Sequence, residues 1–425
     1  MRVFAVPACL WLAVASPVLA QDGPVSLTLR AALDAAMSRN PDLIALRRQY
    51  DATAALPAQE RYLGPPSFEV QIWQWPITTL NPARTDMYMF TLQQELPGRG
   101  KRAARELVAD RDADMARRQI AVHANRILDE VRQTYAELVL ARDTATLYER
   151  QAPVLRDIAD AATVRYASGR GEQHDTVRAL VELSWLRAET IRWGERVRTA
   201  EVRLNTLLGR PVDRAVEPLV SAAATLIPPD AERIALERHP EMAMAAAAIV
   251  REEAELARLR GERRPDFMLG GGYMLTPGHA GAWTASAGLT WPNAPWSRGG
   301  VDAAIDAQIR TVQAAVARRE AIASAIRRGV HEAEIRADAA RQRVDLISST
   351  VLPHVRHAFD VSRIAYATGR AGFADVVDTQ RVFLGAHVEY ARAQADLALA
   401  VAGLERAIGA VTEEPVPAQP GEKQL

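Results

Sequence analysis

Cysteine is almost absent from this sequence of 425 residues, since the one cysteine, Cys9, lies among the first twenty positions. Arg2, an apolar run over 3–14 and the segment Val18-Leu19-Ala20 form the pattern of a secretory signal with its cleavage site. Residues 1–20 are therefore predicted to be a signal peptide, and we expect the remainder to be exported. That remainder has no thiol, which excludes disulfides and cysteine-ligated metals.

Lysine, aromatic residues and net charge are also scarce. Lys101 and Lys423 are the only lysines, aromatic residues make up 6% of the chain, and 52 basic residues balance 52 acidic ones. This balance gives no indication of nucleic-acid binding. No apolar run approaches the roughly 20 residues that a membrane-spanning helix needs. Much of the hydrophobic content is alanine, which suits long helices packed closely through small side chains.

The sequence contains two copies of one pattern, about 200 residues apart. The stretch 363–378, RIAYATGRAGFADVVD, matches 163–178, TVRYASGRGEQHDTVR. Asn40-Pro41-Asp42-Leu43 likewise has its counterpart in His239-Pro240-Glu241-Met242. Because glycines and prolines keep their spacing over nearly the whole chain, the pattern indicates an internal duplication.

Each copy has the same predicted order of elements: a helix, two short strands, a very long helix, a Gly-Arg turn and a returning helix. The first copy, 21–210, has predicted helices at 28–63, 99–165 and 172–208, strands at about 67–75 and 86–95, and a tip at about 166–171. The second copy, 229–410, has helices at 229–262, 299–365 and 373–408, strands at about 266–275 and 282–291, and a tip at about 366–372. Residues 211–228 are predicted to be a linker, and 411–425, rich in Pro and Glu, a disordered tail.

The long helices have the pattern of a coiled coil. From Ile120 to Tyr148, apolar and small residues recur at alternating spacings of four and three. A helix of this predicted length would span roughly 100 Å at 1.5 Å per residue, far more than a globular domain needs. The two shorter helices of a copy reach the same length end to end, so they are expected to stack along the long one. Pro153 and Pro353 are each expected to bend a long helix.

The predicted strands alternate between apolar and small or polar residues. Over 283–291 the apolar side chains face one way and are bounded by Trp283 and Trp291. This is the pattern of a membrane β-barrel strand. Four strands cannot close a barrel around a channel, whereas twelve strands from three chains could. Two hairpins in a soluble sheet remain the alternative.

Together, and in this order, these features resemble the TolC-like outer-membrane efflux factors. The resemblance covers 27–409 and rests on the duplicated order, the segment LPGRGKR over 96–102, and Tyr366-x-x-Gly369 followed by Asp375-Val376-Val377-Asp378. It implies a fold that is mainly α with a membrane β-barrel portion: a homotrimer whose twelve-stranded barrel sits in the outer membrane above a periplasmic α-helical tunnel. It also implies a periplasmic adaptor (membrane fusion) protein and an inner-membrane pump as partners. The pump would supply the energy, so the chain would be no enzyme and need no cofactor.

The resemblance also assigns an aperture at the tip of the second copy. Asp375 and Asp378 match the paired aperture aspartates of the family, and Tyr366 matches the tyrosine that helps to hold the aperture shut. At positions i and i+3 the two carboxylates share one helix face, so three chains would form two rings that favour cations. An acidic pair early in a helix can instead complement the helix dipole. Where the family pattern has an arginine, this chain has Ala371, with Arg370 one place earlier, so the bonds that brace the gate are expected to differ.

The two Gly-Arg turns are candidate contacts for the adaptor. They comprise Ser168, Gly169 and Arg170 in the first copy and Thr368, Gly369 and Arg370 in the second. Glycine at such a place can serve only to end a helix. Both interpretations can hold, because an exposed turn at the end of a long hairpin is also the surface that a partner meets first.

The cargo stays open. Met87 and Met89 lie on one strand face, Met268 and Met274 share another, and thioethers suit Cu(I) or Ag(I). The heavy-metal branch of the family, exporting Cu/Ag or Zn/Co/Cd, is therefore one hypothesis, beside drugs, other small molecules and secreted polypeptides. Met is also common filler, and no resident metal site is predicted. A soluble periplasmic coiled-coil adaptor or structural protein is the alternative function.

Overall fold

The computed structural model describes residues 26–74, 81, 85–219 and 229–409. The predicted signal peptide, the predicted tail and part of the predicted linker lie outside these residues. The first copy contains α1 (Leu29–Arg39), α2 (Pro41–Glu60), β1 (Ser67–Trp73), β2 (Met87–Leu96), α3 (Lys101–Ala167) and α4 (Gln173–Leu207). The second contains α5 (Ala231–Arg238), α6 (Pro240–Gly261), β3 (Phe267–Leu275), β4 (Ala282–Leu289), α7 (Arg298–Leu346), a π-helical turn (Ile347–Val351), α8 (Leu352–Ala367) and α9 (Phe373–Ile408). The duplicated element order is confirmed.

The first predicted helix of each copy is two helices in the structure. The break falls at Asn40 and at His239, whose backbones are extended with ψ near 130°. Each of these residues precedes a proline, which disfavours the helical conformation before it. Both side chains then cap the next helix: Asn40 Oδ1 accepts from the Asp42 amide at 3.0 Å, and His239 Nδ1 accepts from the Glu241 amide at 3.2 Å. The equivalent breaks therefore have one cause in both copies.

The long helix α3 has 67 residues and therefore spans roughly 100 Å at 1.5 Å per residue. Helices α2 and α4 pack along it, as the predicted pairing of one long helix with two shorter ones requires. Near their junction, side chains of α1, α3 and α4 form a hydrophobic core that includes Ala36, Val131, Leu138 and Leu204. None of the helices in the described ranges is long and apolar enough to cross a membrane.

The long helix of the second copy is not continuous. It changes to a π-helical turn at Ile347–Val351 and resumes as α8, with Pro353 in its first turn. A proline ring clashes with the carbonyl four residues before it, here that of Ser349, and the wider π turn places that carbonyl inside a different hydrogen-bond pattern. In the first copy α3 runs on through Pro153. A proline at the equivalent position thus follows a π-helical turn in the second copy and lies within a continuous α-helix in the first.

The four strands form one antiparallel sheet in the order β1-β2-β3-β4, so the pairing of β2 with β3 joins the two copies. Directly paired residues share a face of the sheet. One face is almost entirely apolar and includes Phe68, Val70, Ile72, Tyr88, Phe90, Leu92, Phe267, Leu269, Tyr273, Trp283, Ala287 and Leu289. The other face is mostly polar or small and includes Ser67, Glu69, Gln71, Thr91, Gln93, Glu95, Gly270, Gly272, Thr284 and Ser286.

Candidate functional site

The Gly-Arg turns close the two helical hairpins in the same way. Gly169 and Gly369 have φ of 69° and 77°, a left-handed conformation that glycine adopts without strain. The amide of the following arginine donates to a carbonyl five residues earlier, at 2.8 Å in both turns. A Cβ on either glycine would meet nothing within 4 Å, so the turns face solvent. The left-handed glycine conformation is what ends each helix. The surface of both turns stays accessible to a partner.

The remaining tip residues are exposed as well. The Ser168 hydroxyl donates to the Arg165 carbonyl at 3.0 Å, and the Thr368 hydroxyl donates to the Ile364 carbonyl at 3.0 Å. Each hydroxyl therefore donates its hydrogen bond to the last turn of the helix that it follows. Arg170 and Arg370 are exposed at the very end of each hairpin.

Tyr366 is buried, with 5% of its surface exposed. The guanidinium carbon of Arg165 lies 4.8 Å from the centre of its ring, and Arg165 Nη1 donates to the Tyr366 carbonyl at 2.8 Å. Phe373 packs edge-on to the ring at 6.0 Å. Burial raises the pKa of the Tyr366 phenol. An arginine of the first copy therefore holds the tip of the second, a contact that the sequence analysis missed.

Asp375 lies in the first turn of α9. Its Oδ2 accepts a hydrogen bond from the Gly372 amide at 3.1 Å, which satisfies a donor at the start of the helix. The side chain is also exposed on the helix surface. This hydrogen bond agrees with the alternative interpretation, in which Asp375 complements the start of the helix. It uses only one of the two carboxylate oxygens.

Asp378 belongs to an ion-pair network between α4 and α9. Its Oδ1 lies 3.2 Å from Arg178 Nη2 and 3.8 Å from Arg381 Nη1. Arg381 in turn forms two bonds with Glu182, one of them from Nε at 3.1 Å. These partners were not predicted. One signal was present in the sequence, since Arg178 and Asp378 occupy equivalent positions of the two copies and have opposite charges.

The apolar face of the sheet is open to the surroundings of the chain. Phe68, Trp283 and Leu289 are 66%, 84% and 64% exposed. The Trp283 ring is tilted against that of Tyr273 near one end of β4, with ring centres 5.1 Å apart. Just beyond the other end, Trp291 packs edge-on to Trp296 at 6.1 Å. An exposed apolar band with aromatic residues at both margins is suited to contact with lipid.

The sheet is joined to the helices by a buried lysine. Lys101, only 2% exposed, lies 2.8 Å from Asp266 and 3.0 Å from Glu262 through its Nζ. The other oxygen of Asp266 accepts from the Gly98 amide at 2.7 Å. The segment LPGRGKR over 96–102 therefore links the exit of β2 to the entry of β3.

The methionines of the strands share one face. Met89 pairs directly with Met274 across β2 and β3, Met87 lies two residues from Met89, and Met268 pairs with Glu95. Met87 and Met89 share a face of β2, and Met268 and Met274 share a face of β3, as the alternation of the strands predicts; the register between the copies places all four on the same face of the sheet. Within the described ranges, no group of three His, Cys, Asp or Glu residues is placed to hold a metal.

Comparison with known proteins gives a consistent result. The sequence profile of the family described as "Outer membrane efflux protein" matches residues 32–210 and 233–410. The chain is 24% identical over 398 residues to the cobalt-zinc-cadmium resistance protein CzcC of Cupriavidus metallidurans, covering 92% of each chain.

Solved structures of channel proteins have the same fold. The chain superposes on CusC with a TM-score of 0.76 at 15% identity, covering 95% of this chain and 98% of that one. It also superposes on the open state of the Neisseria gonorrhoeae MtrE outer membrane channel with a TM-score of 0.73 at 17% identity, covering 90% and 88%.

Proposed function

Because this chain belongs to the outer membrane efflux protein family, we propose that it is the exit duct of a tripartite efflux system. It lies in the outer membrane, extends into the periplasm, and conducts cargo passively from an adaptor and an inner-membrane pump to the exterior. The observation that carries this proposal is the sheet with one exposed apolar face and one polar face, attached to helical hairpins. A duct of this kind catalyses no reaction, since the pump supplies the energy.

Three chains would assemble into the duct. Strands β1 and β4 are the edges of the sheet, so β4 of one chain can pair with β1 of the next until twelve strands close. The helices offer a matching contact. Near the tip, α4 exposes Val177, Leu180 and Trp185, and α8 exposes Val361 and Ile364. A head-to-tail contact between these two stripes would bury both and close a ring.

The aperture would lie at the tips, where Asp375 and Asp378 would form two rings of carboxylates. In this chain Asp378 is held by Arg178 and Arg381, and Tyr366 by Arg165. Both Asp378 and Arg381 are more than half exposed, and such surface ion pairs contribute about 0–1 kcal/mol each. Opening would therefore need to break ion pairs of Asp378 that are individually weak.

The adaptor would meet the exposed turns. Gly169 and Gly369 have open space around them, and Arg170 and Arg370 present positive charge beside them. An acidic or carbonyl-rich surface on the adaptor would complement these turns.

The cargo we propose is a heavy-metal cation, because a relative that covers nearly the whole chain is a cobalt-zinc-cadmium resistance protein. The carboxylate rings favour cations in general. A soluble coiled-coil adaptor is disfavoured, because its sheet would expose Phe68, Trp283 and Leu289 to water.

Single-channel conductance in planar bilayers tests the proposal. We expect discrete, cation-selective openings that divalent cations block, and D375A/D378A should weaken the block. The matched control is D157A/D160A, which removes two exposed aspartates at the same spacing from α3. Protein that extracts as a soluble monomer and never inserts would overturn the duct. Unchanged block in D375A/D378A would remove these aspartates from the gate and leave the duct in place.

A further inference from the structure

Four of the nine methionines in the sequence lie on the polar face of the sheet: Met87, Met89, Met268 and Met274. Most of their neighbours on that face are polar or small, as Gln71 is beside Met89 and Gly288 beside Met268, whereas Met87 pairs with Trp73. The paired positions of the apolar face contain no methionine. Methionine that only fills space would be expected on the apolar face, so its distribution needs another explanation.

The register brings three of these thioethers together. Met89 and Met274 are direct cross-strand partners, and such Cβ atoms lie about 5 Å apart. Met87 follows the same face of β2, about 7 Å from Met89 at two strand residues. Each side chain has three rotatable bonds, so three sulfur atoms can turn toward one point above the sheet. All three residues are only partly buried, which leaves that point open to a solute.

Thioether sulfur is a soft, neutral ligand. It binds soft monovalent cations such as Cu(I) and Ag(I), while Zn(II) and Co(II) take imidazole, carboxylate or thiolate. The polar face around the cluster offers no histidine and no cysteine among its paired residues. Neutral ligands also hold an ion weakly enough to let it leave, as a site along a conducting path must.

We propose that Met87, Met89 and Met274 form a contact site for Cu(I) or Ag(I) on the inner wall of the duct. The inference rests on the proposed function, because the polar face lines a path only when three chains close the barrel. Within the heavy-metal cargo proposed above, this site would favour soft monovalent ions, in contrast to the cobalt, zinc and cadmium named for the CzcC relative. Glu95, beside Met268 on the same face, would add an attractive charge further along the wall.

Methyl NMR of the full chain, labelled with ¹³C at the methionine methyl groups and reconstituted in lipid, tests the site with Ag(I) in chloride-free buffer. We expect the signals of Met87, Met89 and Met274 to shift on titration. Met37, Met115 and Met244, which lie on helices, should stay in place. Zn(II) at the same concentrations should move none of these signals.

The variant M89L/M274L conserves side-chain volume and removes two sulfur atoms. We expect it to weaken Ag(I) binding at least about tenfold, while the matched control M115L/M244L should bind as the unaltered chain does. Equal shifts of all methionines, no shift at all, or equal binding by both variants would overturn the site. An equal response to Zn(II) would overturn its selectivity. Conductance of the same samples separates the two proposals: a conducting duct without an Ag(I) response refutes only the site.

Discussion

The two copies differ most in what they contribute to the contact between them. At the tip, Arg165 and Arg178 of the first copy hold Tyr366 and Asp378 of the second, whereas Arg381 of the second copy holds Glu182 of the first. The equivalent of Arg165 in the second copy is Ala365, so the contact has no reverse counterpart. A duplicated chain has thus become asymmetric through a few side chains, without a change in the order of its elements.

The long helices of the two copies also differ. Helix α3 is continuous through Pro153, whereas the second copy has a π-helical turn immediately before Pro353. A π turn is a frequent mark of a functional site within a helix. The side of the hairpin pair that bears the proposed gate is therefore also the side whose helix departs from regular geometry.

The largest expected effect separates the two tyrosines. Y366A should destabilise the helical hairpins by about 3 kcal/mol, because it removes a fully packed aromatic ring. Y166A should cost less than about 1 kcal/mol, because Tyr166 is 46% exposed. Thermal unfolding followed by circular dichroism measures both. Equal losses would show that the tips are symmetric in solution and would contradict the asymmetry described above.

The second prediction concerns a feature that the copies share. Gly209 and Gly409 end the returning helices with φ of 63° and 74°, and a Cβ on Gly409 would come within 2.7 Å of His239 Cα. On Gly209 it would meet the Arg39 carbonyl oxygen. G209A and G409A should each cost about 2–3 kcal/mol, measured by the same unfolding assay.

Gly194 is the control for these variants, since a Cβ there meets nothing within 4 Å and the residue lies inside α4. G194A should stabilise the chain by up to about 1 kcal/mol. A tolerated alanine at either 209 or 409 would show that the returning helix of that copy is not closed in the way described.

The third prediction uses the different caps of the copies. Burial lowers the pKa of His239. The folded state therefore favours the neutral ring, whose Nδ1 accepts a hydrogen bond from the backbone amide of Glu241. The unfolded chain then binds more protons below about pH 6.5, and stability is lost as the pH falls from there through the lowered pKa. Protonation would also remove the cap that the neutral ring provides, and a cap of this kind contributes about 1 kcal/mol.

Asparagine at the equivalent position of the first copy provides the matched variant. Asn40 caps α2 without a titrating group, so H239N should retain the cap and lose the pH dependence between pH 7 and 5. Unfolding midpoints at several pH values give the comparison. An unchanged pH profile in H239N would place the dependence elsewhere in the chain.

The smallest expected change in stability is at the ion pair between Arg178 and Asp378. R178A should alter the free energy of unfolding by less than about 1 kcal/mol, because the carboxylate is exposed. Its effect should appear in conductance, which we expect to rise as Asp378 is released. The charge swap R178D/D378R should restore the closed behaviour of the unaltered chain. Failure of the swap to do so would show that the pair does not brace the aperture.

The order and approximate bounds of the elements follow from local signals in the sequence, whereas the contacts between the copies do not. The predicted strands at 86–95 and 282–291 correspond to Met87–Leu96 and Ala282–Leu289, because alternation and turn residues are local. The breaks before Pro41 and Pro240 were also available locally, from the restriction that proline places on the residue before it.

Other features depend on partners that are distant in sequence. Pro153 and Pro353 are the same local signal, yet only one is preceded by a π turn. The partners of Asp378 lie on α4, and the shared face of Met89 and Met274 depends on a register between the copies. No spacing within either copy contains that information.

The pairing of β2 with β3 has a consequence for how the protein forms. Its two strands belong to different halves of the chain, and a single two-stranded hairpin is only marginally stable. The hairpin of β1 and β2 therefore keeps its apolar side chains uncovered until β3 is available to pair with it. Pairings between distant segments form slowly. The helical hairpins, built from nearby segments, are thus expected to fold first, and the sheet becomes the last and most aggregation-prone step of maturation.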